Sequence, residues 1–200
     1  MRQAVVDAYH YVQQKVHTPE PDEFWWPDRQ WRDALYSDVN RGFSWETDDL
    51  LDTTARAIHP WFTAIYLPNK LAERPVTMYV ATMTDKNGKP LEAGKTYSLT
   101  VPKDVPVKQF WSLTIYDQET WAFIYLPEQR PGLSSREADK MKKNAECSVT
   151  LYFGPKAPKG LENNWIPTSG KIPYPMFRFY GPTEAFFDRS FKLPDVELVK

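Results

Sequence analysis

Cysteine is nearly absent from this 200-residue chain: Cys147 stands alone, so no internal disulfide can staple the fold. A single thiol outside any catalytic motif predicts a buried or half-buried, inert side chain. Histidine is scarce too. His10 and His17 lie seven residues apart, roughly 10 Å along a helix axis, which is too far for one ion to bridge. His59 precedes Pro60 near a helix end, so no metal site is expected, and no motif calls for a cofactor. The nucleophile elbow GxSxG, the P-loop, GxGxxG and HExxH are all missing. An excess of one charge is missing as well: 25 Lys and Arg face 26 Asp and Glu without clustering into a stripe. That balance argues against nucleic acid or an anionic membrane as a partner. No apolar run is long enough for a membrane span, and MRQAVVDAYHYVQQKVH has no continuous apolar core of the signal-peptide kind. The chain reads as soluble, and a disulfide-free exported protein fits the same composition.

What the chain does have is apolar and aromatic surface. At 42% hydrophobic and 15% aromatic, it can fill a sizeable core in one domain with an appendage. Val5, Ala8, Tyr9, Val12 and Val16 recur at helical spacing, predicting an amphipathic helix over about 3–16 whose apolar face docks on the rest. Prolines at 19, 21 and 27 make 18–45 irregular. A second helix is predicted from Thr47, a cap, through Leu51, Ala55, Ile58 and Phe62.

From about residue 75 the period changes to two. Strands are predicted at 76–85 and 95–102, a hairpin around Asn87-Gly88, and at 109–117 and 120–126, a second hairpin. Two more fall at 148–154 and 176–181. The expected architecture is mainly β with accessory helices: a helical or irregular segment, 1–72, packing on an antiparallel β-sandwich, 73–200. Trp111 and Trp121 are expected in its core. Trp25, Trp26, Trp31 and Trp45 are expected to cover a sheet or form a subunit contact.

The strings LLDTTARA, DKNGKPLEAGKTYSLTVPKDVPVKQFWSLTIYDQET, RPGLSS, KKNAECSVTLYFGPKAPKGLENNWIPT and FRFYGPTEAFFDRSFKLPDVE resemble the DUF1214 family over about residues 45–200. That family usually forms the C-terminal part of DUF1254/DUF1214 proteins, many of them bacterial and often exported. The resemblance implies a β-sandwich of jelly-roll type with accessory helices, and a function largely uncharacterised. It also makes a DUF1254-like domain, or a further copy of the chain, an expected partner. Three departures stand out. These 200 residues are expected to lack the DUF1254 part that commonly precedes the domain. An NADGS-like turn is replaced by Asn144-Ala145-Glu146-Cys147-Ser148, losing its glycine, and Lys171-Ile172-Pro173-Tyr174-Pro175 replaces a WF-type string, which is expected to reshape one wall of a pocket.

Candidate site residues come from the late strands and loops. In MFRFY, Arg178 and Tyr180 point away from Phe177 and Phe179; a guanidinium beside Tyr180 suits a carboxylate or a sugar hydroxyl, and the alternative is a solvated or ion-paired arginine. Trp165 beside Asn164 offers an indole near amides, and Asp117 and Asp188 are loop acids that could equally cap turns. Three readings follow. A sandwich domain binding a small polar or carbohydrate-like ligand through Arg178, Tyr180, Trp165, Asn164, Asp117 and Asp188 ranks first. An assembly module docking its Trp-rich front on a partner ranks second. A hydrolase or lyase working through Asp117, Glu119, Glu184 or Asp188 ranks third.

Overall fold

The computed structural model describes residues 2–17, 24–34, 76–124 and 130–199. The helix expected from Thr47, together with Trp45 and His59, lies outside the described residues. The N-terminal helix is present as α1, Arg2–His17, with Val5, Val6, Tyr9 and Tyr11 exposed.

Two sheets make up the body. The first contains β1 (Arg32–Asp33), β2 (Thr77–Ala81), β4 (Val107–Asp117), β5 (Gly132–Ser134) and β8 (Pro173–Pro182), in the order β1-β2-β8-β4-β5. The second holds β3 (Tyr97–Val101), β6 (Val149–Gly154), β7 (Trp165–Pro167) and β9 (Glu197–Leu198), in the order β7-β6-β3-β9. Only β6 and β7 run parallel; the other described pairs are antiparallel. The inner faces meet as a β-sandwich. Met78, Val80, Leu113, Ile115, Phe177 and Phe179 of the first sheet share one core with Leu99, Leu151, Phe153 and Ile166 of the second. Each of these large side chains gains about 1.5–3 kcal/mol from full burial.

Alternation makes this possible. In β8 the pair Phe177 and Phe179 is fully buried, while Arg178 and Tyr180 face outward. Pro173 and Pro175 lie beyond the last β2 pair, Ala81 with Met176, so their missing N–H groups cost β2 no ladder bonds. At the other end, the β4 register shifts between Val107 and Phe110. Gly181 answers that bulge with φ +65°, and a Cβ there would meet Lys108 Cβ at 3.2 Å.

The predicted hairpins are only partly present. Asp85 and Gly88 close a tight turn, with Gly88 N–H donating to Asp85 O at 2.9 Å, but β2 and β3 on either side belong to different sheets. β4 pairs with β5 and β8, and among the described residues the segment after it returns through the Tyr116 and Phe123 bridge. Strand propensity is local, whereas the partner is chosen by which face must be buried.

The tryptophan-rich front segment closes one end of the core. Trp26 and Trp31 are fully buried, Trp25 stacks on Phe186 of α2 (Glu184–Phe187) with centroids 4.7 Å apart, and Arg189 lies over Trp25. The Trp31 indole N–H donates to Pro194 O at 2.8 Å, and Gln30 N–H donates to Asp195 Oδ1 at 2.7 Å. Residues far apart in sequence are thus tied across the C-terminal segment. Cys147, expected to be buried, is exposed, in a turn where its N–H donates to Asn144 O at 3.0 Å. Its φ of +63° is the left-handed conformation that glycine adopts freely.

Two outcomes follow. Cys147→Gly should stabilise the chain by about 0.5–1 kcal/mol, because the exposed thiol has little packing to lose and the left-handed strain is relieved; urea unfolding checks this, and an unchanged or lower midpoint contradicts it. Burial pushes the Asp195 carboxyl up from its ordinary value, against the opposing pull of the Gln30 N–H and Arg29. The folded chain therefore holds this proton to higher pH than the unfolded chain. The native state loses stability from this group as pH rises from about 4 through the raised value. Asp195→Asn keeps an acceptor for Gln30 N–H but cannot ionise. Its stability relative to the parent should climb across that window and then level; a pH-independent difference contradicts the assignment.

Candidate functional site

The two outer sheet faces differ in chemistry. On the second sheet, Ser98, Thr100, Thr150 and Tyr152 are half-exposed, and Thr100 and Thr150 share a hydroxyl hydrogen bond of 3.1 Å, an ordinary solvated face. On the first sheet, Tyr174 and Met176 of β8 are buried although they point away from the sandwich core. They form a second apolar cluster with Ala34, Ala81 and Met83, against which Tyr79, Tyr116 and Trp121 pack. The Trp121 ring meets Tyr174 edge-on at 5.2 Å, and Phe123 stacks on Tyr116 at 4.8 Å.

Trp121, expected as a core residue in a strand, is instead half-buried in a loop at φ +58°. A bulky residue with positive φ is an outlier that the surrounding turn must hold in place. Asp117 does much of that holding. Its carboxylate accepts from Thr120 Oγ1 at 3.0 Å and from Glu119 N–H at 3.2 Å, and its carbonyl accepts from Trp121 N–H at 2.8 Å. Lys171 Nζ lies 3.5 Å from the same carboxylate.

Arg178 stands in the middle of the outer face. Its Nη2 donates to Tyr116 Oη, Nη1 lies 3.5 Å from Thr114 Oγ1, and the guanidinium sits 5.5 Å from the Tyr79 ring centroid and 5.8 Å from that of Tyr116. Nε is buried without a hydrogen-bond partner, and no carboxylate forms an ion pair with Arg178 among the described residues. The flanking Tyr79 phenol does not supply the missing charge. Burial pushes Tyr79 up from its ordinary value against the opposing pull of Arg178, and burial likewise pushes Tyr174 up, so both remain neutral. One row away, Tyr180 stacks on Phe110 at 4.0 Å, and Arg136 covers the other side of Phe110 at 3.7 Å.

The six candidate residues therefore separate. Arg178 and Tyr180 share the outer face of β8. Asn164 is buried at the edge of the second sheet, where its amide accepts from Lys142 N–H at 2.8 Å and donates to Lys142 O and Thr150 O at 2.9 Å. Trp165 next to it donates to Gly154 O at 3.0 Å. Asp188 caps the turn after α2 by accepting from Ser190 N–H, and the Ser190 hydroxyl together with that N–H holds its carboxyl below the ordinary value. Asp117 ends β4 opposite Pro173, while Asp188 follows Pro182, which pairs with Val107 at the start of β4. Tyr79, Thr114 and Tyr116 escaped the sequence reading. Alternation within β2 and β4 was visible, but which of their faces joined Arg178 depended on the inter-strand register. Among the described residues no His, Cys, Asp and Glu cluster could hold a metal ion, and no helix is long and apolar enough to cross a membrane.

Fold and site together define a β-sandwich protein carrying an aromatic, arginine-centred outer sheet face. The family model for DUF1214, a protein of unknown function, matches residues 76–184, more than half of the chain, and the chain belongs to that family. The crystal structure of the VPA0106 protein from Vibrio parahaemolyticus is similar in fold, with a TM-score of 0.57 and 23% identity. The match covers 84% of this chain but 39% of the Vibrio chain, so this chain spans well under half the length of that relative. An uncharacterized protein from Burkholderia cenocepacia matches at a TM-score of 0.47 and 18% identity, over 66% of this chain and 32% of its own. No curated protein matches.

The Asn164 geometry yields a test. Asn164→Ala strands the Lys142 and Thr150 backbone groups in a buried site and should cost about 3 kcal/mol of stability. A thermal melt reads this, and a variant as stable as the parent would show that the amide is not a structural staple.

Proposed function

We propose that this domain binds a small polar molecule on the outer face of its first sheet, with Arg178 as the anchor and Tyr79, Thr114, Tyr116 and Tyr180 around it. The observation that carries this reading is a half-buried guanidinium without a carboxylate partner among the described residues. Taking a charge partly out of water is costly unless it is paired, and an occupant that accepts its hydrogen bonds offsets that cost. Aromatic rings on both sides support the same reading, since half-exposed Tyr180 and exposed Phe123 offer ring surface to a sugar ring or an apolar edge. Asn164, Trp165, Asp117 and Asp188 take no part in this site. A hydrolase or lyase has weaker support, because Asp117 and Asp188 are each engaged in a turn of their own.

A thermal-shift screen of the full chain against sugars and small carboxylates should give at least one saturable rise in melting temperature. Arg178→Met should weaken that binding by at least tenfold, as expected when a charge-assisted hydrogen bond of about 1.5–3 kcal/mol is lost. Arg178→Lys should retain part of it. A flat response to every compound, or full binding by Arg178→Met, overturns the reading.

A further inference from the structure

The register lays a polar row across the first sheet. Tyr79 pairs with Arg178, Arg178 with Ser112, and Ser112 with Ser134, so these four polar residues share one register position on four adjacent strands, with the guanidinium leaning along β4 towards Thr114 and Tyr116. Neighbouring positions are about 4.8 Å apart. Apolar rows flank it: Tyr180 stacked on Phe110 on one side, Ala81 and Met176 on the other. A molecule lying on this row meets hydrogen-bonding groups along its edge and flat or apolar surface beneath its C–H groups.

Charge decides what kind of molecule that is. Arg32 of β1 is opposite Ala81 on this face, and Arg136 covers Phe110 at its rim. Glu137, beside the end of the row, already accepts from Ser134 N–H at 3.1 Å and lies 3.2 Å from the Ser134 hydroxyl. Arg178 Nε is buried, so an occupant meets the guanidinium at its outer end. There Nη1 and Nη2 each hold a second N–H beyond those directed at Thr114 and Tyr116. These N–H groups can donate to the two oxygens of a carboxylate. A phosphate is the poorer match, because phosphate sites gather several backbone N–H groups at a helix N-terminus or nest, and this is the open face of a strand.

We propose that the occupant is a small hydroxylated carboxylate of the sugar-acid type, its carboxylate on the outer end of Arg178 and its hydroxyls along Ser112. This rests on the reading that the outer face binds a small polar molecule, and it adds the charge and the orientation.

Isothermal titration of the full chain with glucuronate, glucose, glucose 6-phosphate and propionate separates the two levels. Glucuronate should bind at least tenfold more tightly than glucose and more tightly than the phosphate. Arg178→Met should erase the preference for glucuronate over glucose. Ser112→Ala should weaken glucuronate several-fold while leaving propionate unchanged, and melting without ligand checks that each variant is folded. Equal binding of glucose and glucuronate, or tighter binding of the phosphate, overturns the sugar-acid proposal and leaves the site standing. Binding of glucuronate that survives Arg178→Met overturns the proposal and moves the occupant elsewhere. Absence of binding by all four compounds overturns the proposal, while a response in the wider screen would keep the site reading.

Discussion

Strand β8 is held on both edges, by β2 over Thr77–Ala81 and by β4 from Val107 to Asp117. Because side chains alternate, a slip of one residue would drive Phe177 and Phe179 into solvent and bring Arg178 and Tyr180 into the core. Losing two fully buried phenylalanines at about 1.5–3 kcal/mol each, and burying an unpaired cation, sets a penalty comparable with the whole stability of a small domain. The register is therefore fixed, and with it the direction of every side chain on the three central strands. Arg178 is outward because its neighbours must be inward.

That constraint gives the two outer faces their different character. The second sheet spends its outer positions on half-exposed Ser, Thr and Tyr, which water satisfies. The first sheet places Tyr, Met and Arg there, with Trp121 folded back over Tyr174 by a turn that Asp117 holds together. A guanidinium among phenols is an unusual arrangement for a purely structural surface, where arginine normally faces a carboxylate or open water. Membership of DUF1214 and the fold shared with the Vibrio protein account for the scaffold. The chemistry of the face belongs to the residues of this chain.

Much of this was legible beforehand, for identifiable reasons. The strands at 148–154 and 176–181 were visible because each faces the core on one side, which imposes a period of two. The short strands β1, β5, β7 and β9 were not, since two or three residues carry no period. Asn164 and Trp165 looked like ligand-binding residues because amides and indoles do bind ligands; in the fold their polar atoms are occupied by backbone groups of distant segments. Cys147 looked buried because cysteine usually is, yet a turn that needs a left-handed residue placed it outside. Tyr79 and Tyr116 drew no attention because nothing local marks them.

The sequence alone determined the β-rich class, the family, and the opposition of Arg178 and Tyr180 to Phe177 and Phe179, since all three depend on patterns within short stretches. Only the tertiary structure decided which strands are neighbours, that β2 and β3 part to different sheets, and that Tyr79, Thr114 and Tyr116 surround the guanidinium. It also decided that Asp117 and Asp188 are each engaged in a separate turn. The reason is physical. Alternation is written into each strand by its own residues, whereas adjacency is settled by the burial of all the strands at once.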